Sequence, residues 1–356
     1  MDVANAPQTA VEVGGRVERA VDSIYLGGGT PTVLEAAQLR RMFDAVREQF
    51  SVADDAEITV ECAPGTLNPE VLDGLLACGV NRVSLGVQSF IDIEAAAVGR
   101  LHKRTTVLQD IARLRAAGIT NINVDLIAGL PHQTAESWNE SVEQTIATGA
   151  PHASVYMLEV DEDSRLGREL IAGGKRYHAH FVPDDEATAD FYVTACEKLE
   201  AAGVAQYEIS NFSRAGFESG HNLKYWTGRP YLGFGVDAHS MLPSAISGVE
   251  AIRFATPDAL EKYVAGSSPQ KADISRAAAL EENFFLGLRL NRGINLRTIA
   301  AEFGADALQD ARPAIAQLIE DGLLLQDGDS IRLTSRGRLV SNEVFQEFLT
   351  PAPQSK

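Results

Sequence analysis

The stretch SIYLGGGTPT at residues 23–32 decides the fold of this 356-residue chain. Its short apolar run ends in three glycines and precedes a helical pattern, which is how a β/α unit appears in sequence. The same alternation continues through ITVECAPGT at 58–66, RVSLGVQSF at 82–90 and NVDLIAGLP at 123–131. It predicts a parallel sheet with crossover helices. The predicted strands are 23–26, 58–61, 82–86, 121–127, 153–158 and 206–209, and the predicted helices between them are 35–50, 68–77, 106–117, 134–148 and 184–202.

Six β/α units are too few to close an eight-stranded barrel, so the pattern favours a partial barrel with a lateral opening. We assign residues 1–250 to this α/β barrel and residues 251–356 to a second domain, because the periodicity becomes helical after residue 251. Three helical segments precede a hairpin in which Asp327-Gly328 separates two apolar stretches. Three helices and a hairpin predict a winged-helix-like domain.

The charge of the chain argues against a nucleic-acid partner. Its 49 acidic and 31 basic residues give a net charge of −18, and residues 281–350 carry 11 Asp and Glu against 7 Arg and no Lys. Phosphate backbones are bound by clustered basic side chains, so we expect the winged-helix-like domain to be a lid or packing module. No apolar run approaches the length of a membrane span, and we expect a soluble cytoplasmic protein.

The glycine run Gly27, Gly28, Gly29 follows the first predicted strand and leads into Thr30. Without Cβ atoms, such a run lets a ligand approach the backbone and meet its N–H groups. It lacks the spacing of a P-loop or of a dinucleotide fingerprint, so a small group such as an amino acid moiety fits better than a phosphate. A plain turn remains the alternative.

Polar side chains end or follow otherwise apolar strands at Glu61, Gln88, Arg100 and Asp125. The carboxyl ends of parallel strands form the chemical face of barrels and open α/β sheets. A buried carboxylate is costly unless it is paired or binds a ligand, so these positions predict a binding site. The alternative is an internal salt bridge, for example between Asp125 and Arg100.

The stretch HNLKYW at 221–226 places a histidine beside Tyr and Trp, and YLGFGVDAHS follows it at 231–240. An imidazole with flat aromatic neighbours suits a heme plane, with His221 as the iron ligand. The alternative is a histidine with a purely structural role. The other histidines, among them His102, His132, His152, His178 and His180, are assigned no role.

These motifs, in this order and with the closing GRLVSNEVFQEFL at 337–349, resemble the HemW family of heme chaperones over nearly the whole chain. That family is related to the oxygen-independent coproporphyrinogen oxidases of the radical S-adenosylmethionine (SAM) group. The resemblance implies a partial (β/α)6 radical SAM barrel with a C-terminal winged-helix-like domain. It also implies SAM contacts at Gly27, Gly28, Gly29, Thr30, Glu61, Gln88, Arg100 and Asp125, and a heme motif at His221, Asn222, Tyr225 and Trp226.

One part of the family pattern is absent from this sequence. Family members carry CxxxCxxC about 45 residues before the glycine run, where three thiolates hold a [4Fe–4S] cluster. Here the glycine run begins at residue 27, and Cys62, Cys78 and Cys196 are too far apart to replace that motif. We expect a recorded start that is too late, so that the chain lacks the first strand region and its cluster cysteines. A variant without the cluster is the alternative.

Three functions follow from the resemblance and the motifs. The first is heme binding and transfer to acceptor hemoproteins, with SAM and the [4Fe–4S] cluster as cofactors of the full-length protein. The second is oxygen-independent coproporphyrinogen III oxidation, an enzymatic role in heme biosynthesis. The third is a cluster-free tetrapyrrole-binding or interaction protein. The HNLKYW stretch favours the first, because the resemblance places it with the chaperones.

Overall fold

The computed structural model describes residues 3–159, 168–169, 171–172 and 176–349. The chain divides into two compact units. We call Ser23–Phe43 with Asp55–Glu218 the barrel unit, and Met1–Asp22 with Asp44–Asp54 and Ser219–Lys356 the composite unit. Within the described ranges, no helix is both long and apolar enough to cross a membrane.

The barrel unit is built around a seven-stranded sheet in the order β1-β2-β3-β4-β5-β7-β6. Strands β2 to β5 pair in parallel with their neighbours, and their near-sequential order is that of a barrel wall. This confirms the predicted parallel sheet. The strands are β1 (Ala20–Leu26), β2 (Ser51–Cys62), β3 (Arg82–Gln88), β4 (Asn121–Ala128), β5 (His152–Met157), β6 (Ala205–Gln206) and β7 (Asn211–Ser213).

Five helices of the first 218 residues match the predicted ones, whereas the helices Ala6–Glu12 and Asp92–Ala97 were not predicted. Asn68 caps the third helix as expected, since its side chain accepts a hydrogen bond from the Val71 N–H at 2.8 Å. Thr134 and Ser137 form a reciprocal capping box at the start of another helix. The helices are α1 (Ala6–Glu12), α2 (Ala36–Gln49), α3 (Pro69–Ala77), α4 (Asp92–Ala97), α5 (Arg104–Ala116), α6 (Ala135–Thr148) and α7 (Asp185–Ala201), with 3-10 turns at Val3–Asn5, Pro31–Val33 and Arg176–Phe181.

The segment 206–209, predicted as a sixth strand, does not continue the parallel sheet. Strand β7 pairs antiparallel with both β5 and β6. The chain reverses between β6 and β7 because the Glu208 side chain accepts hydrogen bonds from the Ser210 N–H and the Asn211 amide. Side-chain acceptors of this kind favour a turn over a continuous strand.

The composite unit contains a three-stranded sheet that was not predicted, because residues after 251 were expected to form helices and one hairpin. Strands β8 (His239–Pro243), β9 (Ala251–Ala255) and β10 (Gln270–Ile274) pair antiparallel in the order β10-β9-β8. Their buried side chains Leu242, Ile252 and Phe254 pack with Ala10 in a small core. Residues 219–250 therefore lie with the composite unit, whereas the sequence analysis assigned them to the barrel.

The rest of the composite unit contains the predicted three helices and hairpin. Gly328, at φ 57°, turns the chain between the two hairpin strands, where a left-handed residue is required. A third short strand pairs with the hairpin. The elements are α8 (Gly220–Trp226), α9 (Leu260–Val264), α10 (Arg276–Leu288), β11 (Ile294–Asn295), α11 (Leu296–Phe303), α12 (Ala307–Glu320), β12 (Leu324–Asp327), β13 (Ser330–Leu333), α13 (Ser335–Leu339) and α14 (Ser341–Gln346).

Candidate functional site

The glycine run after β1 leaves its backbone open. Gly28 and Gly29 have φ values of 82° and 137°, and a Cβ atom added at either one would meet nothing within 4 Å. A Cβ added at Gly27 would instead lie 2.8 Å from the Glu61 carboxylate. The close approach of Glu61 and Tyr25 therefore favours glycine at position 27, and the backbone conformation favours it at positions 28 and 29.

The Glu61 carboxylate fixes this loop from β2. Its Oε1 accepts a hydrogen bond from the Tyr25 hydroxyl at 3.0 Å, and its Oε2 accepts one from the Gly28 N–H at 3.1 Å. Burial, followed by the negative charge of Glu61, raises the pKa of Tyr25, so its phenol stays protonated and donates. No Lys, Arg or His of the described ranges forms an ion pair with Glu61.

Asp125 lies on β4, on the same face of the sheet as Glu61. The register pairs Glu61 with Ser84 on β3, and Ser84 with Asn123 on β4, two residues before Asp125. Burial raises the pKa of the Asp125 carboxyl, and the Glu61 charge adds to the rise. Hydrogen bonds from Ser84, Ser154 and Asn123 oppose it. Two carboxylates on one face, without a charged partner among the described side chains, suit a cationic ligand.

Asn123 is the centre of the polar network beneath Asp125. Its amide nitrogen lies 2.6 Å from Asp125 Oδ1 and 2.8 Å from Ser84 Oγ, and its Oδ1 lies 2.6 Å from His152 Nδ1. The other ring nitrogen of His152 lies 2.9 Å from the Tyr207 hydroxyl. Because Asn123 Oδ1 can only accept, His152 donates from Nδ1–H and accepts from Tyr207 at Nε2. This arrangement is that of a neutral imidazole, and burial favours it because it lowers the pKa of His152.

The neutral His152 predicts a pH dependence of stability. Burial, followed by the positive charge of Arg82, lowers the pKa of His152 well below its ordinary value. Below about pH 6.5 the unfolded chain binds a proton there that the folded chain does not, so stability falls as pH falls. The expected slope from this group is about 1.4 kcal/mol per pH unit.

The measurement is urea unfolding between pH 7.5 and 5.0 for the wild-type chain and His152→Gln. Glutamine retains hydrogen-bonding atoms and does not titrate, so the variant should lose less stability on acidification. Parallel curves for the two proteins would contradict a neutral buried His152.

Gln88 and Arg100 meet near Gly86, at the end of β3. A Cβ added at Gly86 would lie 3.3 Å from the Gln88 amide nitrogen and 3.8 Å from an Arg100 guanidinium nitrogen. Gln88 is buried and has φ 67°, a left-handed conformation that costs free energy in a residue with a side chain. Arg100 forms no ion pair with Asp125 in the described structure, so the salt-bridge alternative is wrong for this pair.

The HNLKYW stretch forms α8 in the composite unit. The helix starts where the Ser219 side chain accepts the Asn222 N–H at 3.3 Å. One turn apart, His221 Nε2 and the Tyr225 hydroxyl lie 3.0 Å from each other, and their rings meet edge to face. Asn222, Tyr225 and Trp226 are half-buried, as is His221. The histidine and the aromatic rings thus form one partly exposed group.

Two family profiles match successive parts of the chain. A profile of the radical SAM superfamily matches residues 4–145, and a profile of the HemN C-terminal domain matches residues 274–340. The heme chaperone HemW of Bacillus subtilis (strain 168) is 36% identical over 92% of this chain and 85% of that protein. The chain belongs to the HemW family.

Other similar proteins agree with this assignment. The heme chaperone HemW of Lactococcus lactis subsp. lactis (strain IL1403) is 34% identical over 92% of this HemW-family chain and 84% of its own length. The solved structure of coproporphyrinogen III oxidase (HemN) from Escherichia coli, a radical SAM enzyme, superposes with a TM-score of 0.78 at 25% identity. It covers 93% of this chain and 78% of that chain. The predicted partial barrel with a C-terminal winged-helix-like domain is confirmed.

The radical SAM superfamily implies SAM and a [4Fe–4S] cluster as cofactors. The barrel unit of this HemW-family chain fits SAM, because its open glycine backbone lies beside the Glu61 carboxylate, which has no cationic partner among the described residues. An amino acid end carries an ammonium that such a carboxylate can bind.

The described residues do not fit the cluster. They contain no group of three His, Cys, Asp or Glu side chains that could hold a metal. Cys62 and Cys78 are buried, and burial raises the pKa of the Cys62 thiol to about 11, whereas cluster ligands are thiolates.

The structure adds residues to the HemW-family motif that the sequence analysis missed. The Tyr225 ring packs edge to face on Tyr231 at 4.7 Å. The charge of Arg253, which pairs with Glu282 at 2.9 Å, acts on the Tyr231 hydroxyl and opposes the rise of its pKa that burial causes. The Arg289 guanidinium lies 4.2 Å from the centre of a Trp226 ring. Tyr231 belongs to the YLGF motif. Arg253 and Arg289 have no such signal in the sequence, because they reach these rings from β9 and from the end of α10.

Proposed function

We propose that this chain is a heme chaperone of the cytoplasm, which binds heme through α8 and transfers it to acceptor hemoproteins. The observation that carries the proposal is the grouping of His221 with the Tyr225 and Trp226 rings on one partly exposed helix. Relatives named heme chaperone support it over most of the chain. The net charge of −18 supports the further expectation that nucleic acid is not a partner.

His221 is the proposed iron ligand, and Nε2 is its ligating atom. Nδ1 lies next to Cβ, so a porphyrin plane approaching that nitrogen would meet the backbone of the helix. In the present structure Nε2 shares a hydrogen bond with the Tyr225 hydroxyl. Iron binding therefore requires the hydroxyl to turn away, and the Tyr225 ring then offers a face or edge to the porphyrin.

This competition predicts that Tyr225→Phe tightens heme binding. The variant removes the hydroxyl that occupies Nε2 and keeps the ring. A net hydrogen bond is worth about 0.5–1.5 kcal/mol, so hemin affinity is expected to rise roughly twofold to tenfold. The measurement is a hemin titration followed by Soret absorbance. Weaker binding by Tyr225→Phe would contradict ligation through Nε2.

Transfer requires a site from which heme can leave. The four motif side chains are all only half-buried, and α8 is a seven-residue helix at the start of the segment 219–250. Trp226 Nε1 is buried and has no hydrogen-bond partner among the described residues, so a polar ligand atom can pair with it. A partly open aromatic site with one axial ligand suits a carrier more than a permanent heme pocket.

SAM binding is proposed for the barrel unit. Gly27, Gly28, Gly29 and Thr30 would hold the methionine end, with Glu61 receiving its ammonium. Gln88, Arg100 and Asp125 would line the remaining contacts, since Gln88 and Arg100 converge at Gly86 and Asp125 shares a sheet face with Glu61. When bound, SAM would also supply a sulfonium cation, and the Asp125 carboxylate on the same sheet face as Glu61 would favour a positive charge there.

The second candidate is oxygen-independent coproporphyrinogen III oxidation, which the structural likeness to the Escherichia coli enzyme favours. A comparison of ligands separates the candidates. We expect the chain to bind hemin at one equivalent and at least about tenfold more tightly than metal-free protoporphyrin IX, because only hemin offers iron to an imidazole. Tighter binding of coproporphyrinogen III than of hemin would support the oxidase instead. Equal affinity for hemin and protoporphyrin IX would mean that the chain binds the tetrapyrrole ring and not the iron. This result would overturn His221 as the iron ligand.

A further inference from the structure

Two histidines outside the SAM and heme motifs lie in direct contact in the barrel unit. His132 follows β4, and His178 lies in the 3-10 turn Arg176–Phe181. His132 Nε2 and His178 Nδ1 are 2.9 Å apart, and the ring centres are 4.9 Å apart. Both rings are at least partly exposed to solvent. We call His132 and His178 the histidine pair.

The backbone holds both members of the histidine pair in an unfavourable conformation. His132 has φ 71° and His178 has φ 59°, in the left-handed region that few residues with a side chain adopt. The His132 N–H donates to the Phe181 carbonyl at 2.9 Å, which ties the loop after β4 to the 3-10 turn. Backbone strain of this kind persists where the surrounding structure fixes it, and it concentrates at functional sites.

At least one ring of the histidine pair is unprotonated where the two nitrogens meet, because their 2.9 Å contact is a hydrogen bond and needs an acceptor. The pKa of His132 is lowered from its ordinary value by desolvation and by the neighbouring His178 and His180, while Glu94 opposes the change. A hydrogen bond between two imidazoles also needs one donor and one acceptor, which two protonated rings cannot supply. Neutral imidazoles carry the lone pairs that bind metal ions.

We propose that His132 Nε2 and His178 Nδ1 together bind a divalent transition-metal ion of the zinc, cobalt or nickel type. The ion takes the place of the proton shared between the rings, and that proton passes through water to the opposite, unprotonated nitrogen of the ring that donated it. Each ring stays neutral by carrying its proton on the opposite nitrogen, Nδ1 of His132 and Nε2 of His178. Imidazole is the protein ligand that suits these ions, and water completes the coordination shell.

The geometry requires a small adjustment. With metal–nitrogen bonds of about 2.0–2.1 Å and a tetrahedral angle, the two nitrogens lie about 3.3 Å apart. The rings therefore separate by about 0.4 Å from their present 2.9 Å. The described residues contain no group of three ligands, so we expect a weaker, exchangeable site. His180 is not assigned to it, because in the described structure no hydrogen bond joins its ring to His132 or His178, which bond each other.

The test is a titration of the full chain, without an affinity tag, with Co²⁺ and Zn²⁺ at pH 7.5. Calorimetry gives the affinity, and Co²⁺ absorbance reports nitrogen ligation. We expect one equivalent to bind, and His132→Asn and His178→Asn to weaken binding by about tenfold or more. Asparagine tolerates the left-handed conformation, so both variants should fold.

The matched control is His180→Asn, which changes a histidine in the same turn and should bind within about twofold of the wild-type chain. Two outcomes would overturn the site. One is wild-type binding no stronger than that of the His132→Asn/His178→Asn double variant. The other is an equal loss in His180→Asn and His132→Asn, which would indicate unspecific attraction to exposed histidines.

Discussion

Replacing His221 with alanine is expected to abolish the Soret shift that hemin gives with the wild-type chain. The variant removes the proposed axial ligand and keeps the Tyr225 and Trp226 rings, so only stacking and apolar contacts remain. Loss of an outer-shell partner already lowers metal affinity by 10–100-fold, and loss of the ligand itself is expected to cost about 100-fold. The measurement is a hemin titration of the purified variant.

His239→Ala is the matched control, because His239 is an exposed histidine of the same composite unit, on β8. It should bind hemin like the wild-type chain. An unchanged spectrum and affinity for His221→Ala would remove His221 as the ligand. A loss in both variants would indicate unspecific binding by surface histidines.

Replacing Asn123 with alanine is expected to be the most destabilising of the changes considered in the barrel unit. The variant leaves the half-buried Asp125 Oδ1 and the fully buried His152 Nδ1–H without their present partner. Each buried unsatisfied group costs about 1–3 kcal/mol, so the expected loss is about 3–5 kcal/mol. The melting temperature should fall by roughly 10 °C.

Asn139→Ala is the control for this change. Asn139 lies on α6, and its amide donates to the Ala135 carbonyl one turn before it and to no other group of the described residues. Its replacement should change stability by no more than about 0.5 kcal/mol. Melting temperatures that are equal for Asn123→Ala and the wild-type chain would contradict the assigned network.

Much of the fold was predictable because its patterns are local. The alternation of apolar runs and helical segments gave strands β1 to β5 and helices α2, α3, α5, α6 and α7 to within a few residues. The exception is β2, which begins at Ser51, before its apolar part. The Asn68 cap and the Gly328 turn follow from side-chain and backbone chemistry alone.

The elements that were missed depend on distant contacts. Strands β8, β9 and β10 are stabilised by pairing with each other and by packing on Ala10, far away in sequence. The turn between β6 and β7 depends on hydrogen bonds to the Glu208 carboxylate. The secondary-structure propensities of a short stretch of sequence report neither strand pairing over a long distance nor hydrogen bonds to a side chain.

In the candidate site too, some residues could be predicted from the local sequence and others depend on distant contacts. Glu61 and Asp125 could be singled out because a carboxylate within an apolar strand or near its end contradicts the local pattern. Asn123 and His152 could not, since their importance lies in contacts across three strands, and His152 was assigned no role. The histidine pair is also invisible in sequence, because its two members are 46 residues apart.

The central claim is that heme iron bonds to His221, and resonance Raman spectroscopy of the ferrous heme complex tests it most directly. With ¹⁵N-histidine in the chain, we predict an iron–imidazole stretching band that shifts with the label in the wild-type protein and in His239→Ala. The band should be absent from His221→Ala. A labelled band of undiminished strength in His221→Ala would contradict the account.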